Sequence, residues 1–93
     1  IFPGACETYF ATGSEALSSG DYQGAVDALS KVVRMDEGYN SGQALFNLAQ
    51  AYQGSGDNAN AATYYQRVVE GYADSEYAAE AQTNLEAVSQ AAQ

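Results

Sequence analysis

The sequence predicts an all-α fold: an alpha-alpha superhelix of two helical hairpins with a C-terminal capping helix. Two observations predict it. Segments Gly20 to Val33 and Gly56 to Val69 share one design, a Gly-Asp pair, alanine four residues after the aspartate, a large residue four further on, a basic residue and Val-Val. The two Gly-Asp pairs stand 36 residues apart, the period at which helix-turn-helix units stack. Apolar residues also recur at helical spacing throughout, and no alternating strand pattern competes.

The first helix is expected over residues 7–19, presenting Tyr9, Gly13, Ala16 and Leu17 on one side. Gly20 can end it at positive φ, and Asp21 is placed to cap the next helix, expected over 22–35 with Ala25, Leu29, Val32 and Val33 on its buried face. A third helix over 41–54 presents Leu45, Leu48, Ala49 and Tyr52, followed by the same stop and start at Gly56 and Asp57. The fourth, over 58–71, repeats the second with Ala61, Tyr65, Val68 and Val69. Short turns make the helices of each pair antiparallel, and the small residues Gly13, Ala25, Ala49 and Ala61 mark their closest approach. A closing helix over 76–91 follows from Ala78, Ala81, Leu85 and Val88, with Ser75 or Asp74 as its expected cap. Its other face carries Glu80, Glu86 and glutamines, as the end of a stack requires.

At 93 residues the chain holds one domain, with units at about 6–39 and 42–75. It does not begin with methionine, and is expected to be part of a larger protein. Twelve acidic against three basic residues, a net charge of -9, disfavour nucleic acid, anionic lipid and acidic polypeptide, and favour a neutral or basic partner. No window is apolar enough to enter a membrane, and no signal peptide is visible. One cysteine, Cys6, excludes an internal disulfide and a cysteine-based metal site.

The hairpins resemble the tetratricopeptide repeat. In the second unit Leu45, Leu48, Ala49 and Tyr52 match the first helix of that motif, Gly56-Asp57 its turn, and Ala61, Tyr65 and Val68 its second helix. In the first unit Tyr9, Gly13, Ala16, Gly20-Asp21-Tyr22, Ala25, Leu29 and Val32 match. Thr12 replaces the usual leucine, Ala16 the aromatic, and Glu37 and Ala73 the unit-ending prolines. The junction Gly71 to Ala81 with Leu85 further resembles a Tyr-Pro-x-Ser-x-Tyr-Ala segment of bacterial envelope members of the family. That likeness implies an extracytoplasmic location, periplasmic or at the cell surface. Membrane anchoring ahead of Ile1 and a cytoplasmic location are both left open.

The resemblance implies a non-enzymatic adaptor that holds a peptide or helix in a concave groove. Carried across by position, the groove would draw on Glu7, Phe10, Ser14, Leu17 and Ser18 from the first unit. The second would supply Gln43, Phe46, Gln50, Gln53 and Gly54, and the closing helix Tyr77 and Asn84. Phe10, Leu17, Phe46 and Tyr77 would be anchors, with the alternative that both phenylalanines extend the core between hairpins. Glutamine both donates and accepts, which suits a peptide backbone of any sequence. The basic residues Lys31, Arg34 and Arg67 all fall on second helices, away from the groove, which excludes the carboxylate-clamping subtype.

Catalysis finds little support. There is no histidine, and the carboxylates fall in turns or on polar faces. Asp36-Glu37 reads as a solvated turn, Asp57-Asn58-Ala59-Asn60 lacks the spacing of a calcium loop, and Gly54-Ser55-Gly56 lacks the context of a phosphate cradle. No cofactor is expected. Tyr64, Tyr72 and Tyr77 would form a contact patch if exposed together, but packing at helix ends is the favoured reading. Two other functions compete with the adaptor. One is a structural spacer that self-associates through its terminal helices, with Leu85 or Val88 in the contact. The other is a cell-wall glycan contact built on the tyrosines.

Overall fold

Both Gly-Asp pairs form the same junction. Gly20 and Gly56 take left-handed backbone (φ 89° and 91°), and their N–H groups donate back to the helix they end. Asp21 and Asp57 then accept from the backbone N–H groups of Gly24 and Asn60 at 3.1 and 3.2 Å, closing the open ends of the helices they cap. The computed structural model describes residues 4–91; Pro3, the one proline, lies outside them. They form α1 (Ala5–Ser19), α2 (Tyr22–Met35), α3 (Tyr39–Ser55), α4 (Asn58–Gly71) and α5 (Ala78–Ala91), measuring 41 × 28 × 18 Å together. Each helix packs on the next in sequence, and α1 also touches α3. No helix of the described residues is long and apolar enough to cross a membrane.

The core divides at α3, which has two apolar faces. Leu48 and Ala51 pack with Ala25, Val26 and Leu29 of α2, while Leu45, Phe46 and Ala49 pack with α4 and α5. The end helices keep one face each. On α1, one 36-residue period before Ala44, Leu48 and Ala51, stand the exposed Thr8, Thr12 and Glu15. On α5, the positions equivalent to Leu45 and Ala49 carry the exposed Gln82 and Glu86, and only Ala81, Leu85 and Val88 turn toward α4. Val88 is 1% exposed and spent on the core, so the expectation that it offers a surface for end-to-end association is corrected, while Leu85 packs against the same core half-buried.

Small residues set the helix spacing as expected. Gly13 of α1 is buried, and a Cβ there would come within 2.5 Å of Leu29 Cγ. Ala25, Ala49 and Ala61 are wholly buried.

Two junction expectations fail. Ser75 and Asp74 do not cap α5; Ser75 accepts from Ala78 N–H through its carbonyl, its hydroxyl is buried without a partner, and the helix starts only at Ala78. The start of α3 is irregular too. Asn40, Ser41 and Gly42 are left-handed in succession (φ 51°, 57° and 92°), so regular helix begins after Gly42 rather than at 41. Left-handed backbone costs a non-glycine residue about 1–2 kcal/mol, so Asn40 and Ser41 need support from their surroundings. Asn40 Nδ2 donates to Gln43 Oε1 at 3.2 Å, and the Tyr72 ring lies against Gly38 and Gly42 on either side of the run, occupying the space a Cβ at either would need.

Candidate functional site

The first helices of the units, α1 and α3, line one side of the stack with α5, and the residues expected in a groove separate there into distinct settings. Leu17, Gln50 and Gln53 come together with Tyr22 and Gly54 around an open cleft of about 400 Å³. The Tyr22 ring lies against Gly54, where a residue with a side chain would have to displace the ring. Gln43 and Tyr77 line a second cleft, of about 490 Å³, with Asn40, Ser41, Asp74 and Glu76. Glu7 and Ser18 are exposed, and Ser14 is half-buried.

The two phenylalanines are not free anchors. Phe46 is 6% exposed, edge-on to Tyr65 (centroids 5.8 Å) and stacked under Tyr77 (5.5 Å). The expectation that it faces a groove is therefore corrected, because Tyr77 closes over it and both rings join the α3–α4–α5 core. Phe10 is half-buried and tilted against Tyr39 at 5.0 Å, a pairing that repeats Phe46–Tyr77 one unit earlier. Of the expected apolar anchors, Leu17 lines an open cleft with Gln50 and Gln53, and Tyr77 one with Gln43.

The tyrosines also separate. Tyr64 stacks on Tyr52 (5.5 Å, 10° between planes), Tyr72 covers Gly38 and Gly42, and Tyr77 covers Phe46, so they form no shared exposed patch. The cations lie on second helices as expected, Lys31 5.0 Å above the Tyr9 ring and Arg67 4.9 Å above that of Tyr64.

A polar chain runs under the cleft. Tyr65, fully buried, donates its hydroxyl to Gln53 Oε1 at 2.6 Å and accepts from Asn84 Nδ2 at 3.4 Å, linking α3, α4 and α5. This holds the Gln53 carbonyl inward, while the Gln50 amide is engaged by no described residue. Burial pushes the Tyr65 hydroxyl up to about 12, against a weaker lowering by Asn84, with nearby Glu80 raising it further. Because the folded value is raised, this group's share of stability is complete below pH 10 and lost as pH rises from 10 to about 12. Tyr65→Phe should cost about 1–3 kcal/mol by orphaning the Gln53 and Asn84 groups, and should reduce the alkaline loss of stability. Urea melts of both proteins between pH 8 and 12 check both effects.

Asn47 was missed by sequence reasoning. It is 9% exposed on α3, and its Nδ2 donates to Ser14 Oγ of α1 at 3.5 Å, tying the first helices of the two units together. Its signal is a lone amide within the apolar run Ala44–Ala49.

Among the described residues no group of three or more cysteine, aspartate or glutamate side chains converges as a metal site. A family model described as tetratricopeptide repeat matches residues 10–76, well over half of the chain. Neither a curated protein nor a solved structure matches it.

Proposed function

Since this chain belongs to the tetratricopeptide repeat family, whose helical hairpins are non-catalytic scaffolds for protein interaction, we propose that it holds a neutral or basic peptide segment against its concave side. The observation that carries this reading is the Leu17–Gln50–Gln53 cleft, an apolar side chain beside an amide that no described residue engages, on the side where such arrays present their first helices. A buried peptide bond must have its N–H and C=O satisfied, and the Gln50 amide can serve either. No cation is among these cleft residues and the chain carries -9, so lysine- or arginine-bearing segments gain and acidic ones lose. The junction segment Gly71 to Ala81 supports an extracytoplasmic setting in a bacterial envelope, which fractionation of the source cells tests directly.

The test is an array of immobilised lysine-bearing, neutral and glutamate-bearing peptides, probed with the domain and with Leu17→Asp. Binding of the first two classes, reduced at least tenfold by a folded Leu17→Asp variant, is the expected result. Equal binding by the variant sinks the reading. Retention of glutamate-bearing peptides sinks the charge preference.

A further inference from the structure

The only covalent link between the two hairpins is the segment from Asp36 to Gly42, and it ends in three left-handed residues held down by one tyrosine. We propose that this link is a hinge with two states, latched in the observed one by Tyr72, and that releasing the latch re-forms the start of α3 and moves Gln43, changing the concave side while the α2–α3 core stays packed.

Four observations carry this. First, Ser41 holds a left-handed conformation that serine avoids, and asparagine takes it only as a single residue, so the run through Asn40 and Ser41 is strained wherever nothing enforces it. Right-handed helix at 40–42 relieves that strain and lets α3 start regularly from Tyr39. Second, Tyr72 enforces it by contact from the far end of the second unit. Its ring atoms lie 3.0–3.1 Å from where a Cβ on Gly42 would stand, and its hydroxyl 3.0 Å from the same point on Gly38. Glycine at both positions is what allows the ring to seat. Third, open space adjoins the latch: Ser41 borders two clefts, one with Gly38, Gly71 and Tyr72, the other with Gln43 and Tyr77. Ser75, which borders both, has a buried hydroxyl without a partner in this state.

Fourth, the hinge lies between two aromatic pairs that tie the units together. Tyr39, just before it, packs on Phe10 of α1; Phe46, one turn after it, packs under Tyr77 ahead of α5. Rotation at 40–42 with the Phe46–Tyr77 pair held must therefore move Tyr39 off Phe10. Gln43, the first residue past the left-handed run, moves with the change, which couples the latch to the concave surface. The device stands independently of what occupies that surface.

The experiment is amide hydrogen exchange on the whole chain, with the HN–Hα couplings of Asn40 and Ser41, in the unmodified protein, Tyr72→Phe, Tyr72→Ala, and Tyr72→Ala with Ser41→Gly. Tyr72→Phe keeps the ring and should behave as the unmodified protein. In Tyr72→Ala, residues 39–44 should exchange at least tenfold faster, while Ala25–Val32 and Ala61–Val68 stay within about threefold. The couplings should move from values for φ near +55° toward those for right-handed helix. Adding Ser41→Gly, which removes strain from the observed state, should restore slow exchange in part. Unchanged couplings and exchange at 39–44 in Tyr72→Ala would overturn the proposal. So would a uniform rise in exchange across all five helices, the mark of a contact that only stabilises the fold.

Discussion

Leu29→Ala should destabilise the protein by about 2–5 kcal/mol, and adding Gly13→Ala should recover part of the loss. Leu29 is wholly buried on α2, and its Cγ fills the space a side chain on Gly13 would occupy. Truncation removes packed surface and leaves a hole facing α1. Gly13→Ala alone forces a methyl to 2.5 Å from Leu29 Cγ, a branch point rather than a flexible tip. The overpacking costs about 1–3 kcal/mol, against about 1 kcal/mol regained by replacing glycine within a helix. In the double variant the added methyl enters the vacated space, so the two losses combine with an interaction of about 1–3 kcal/mol in the stabilising direction. Chemical denaturation of the four proteins of the cycle measures it. Strict additivity would mean that α1 and α2 are further apart than the structure places them.

Phe46→Ala should cost about 3–5 kcal/mol, enough to unfold much of a domain whose total stability is about 5–15 kcal/mol. Its ring is pinned between Tyr65 and Tyr77, and its loss removes the floor on which Tyr77 sits as well as contacts to α4. A thermal melt against the unmodified protein gives the answer. A variant that lost partner binding yet melted normally would restore Phe46 to the groove and show that Tyr77 does not close over it.

Those two residues show which parts of the fold could be read from the sequence. Gly13 and Leu29 were legible because close approach needs a small residue at a fixed spacing opposite a large one, and the 36-residue period repeats the arrangement. Asp21 and Asp57 were legible because capping is local chemistry, settled within four residues. Phe46 was ambiguous because its position on the helix is local but its exposure is decided by Tyr77, 31 residues later. The same ring misled the reading of α5: Ser75 and Asp74 have capping chemistry, but the chain first turns through residues 72–77 so that Tyr77 can reach Phe46. Asparagine tolerates left-handed backbone, but Ser41 gave no sign of it, and the run goes with the placement of Tyr72 against Gly38 and Gly42, far along the chain.

Of the groove expected from position, Leu17, Gln50 and Gln53 meet at one cleft, and Gln43 with Tyr77 at another. Phe10 and Phe46 hold the units together instead. Polar exposed residues on the outer faces of α1 and α5 weaken the account of an end-to-end spacer, since stacking another repeat there would bury Thr8, Thr12 and Glu15 or Gln82 and Glu86 without partners. Separation of Tyr64, Tyr72 and Tyr77 removes the shared patch on which a glycan contact was built.

The most direct measurement is an amide chemical-shift titration of the isotope-labelled domain with the strongest-binding peptide of the array. The account predicts that shifts saturate together at Leu17, Gln50, Gln53 and Gly54, extend along α1 and α3, and spare the convex positions Asp27, Lys31 and Arg67. Saturating shifts confined to the α2 and α4 surfaces, with the Leu17–Gln53 cleft unmoved, would contradict it.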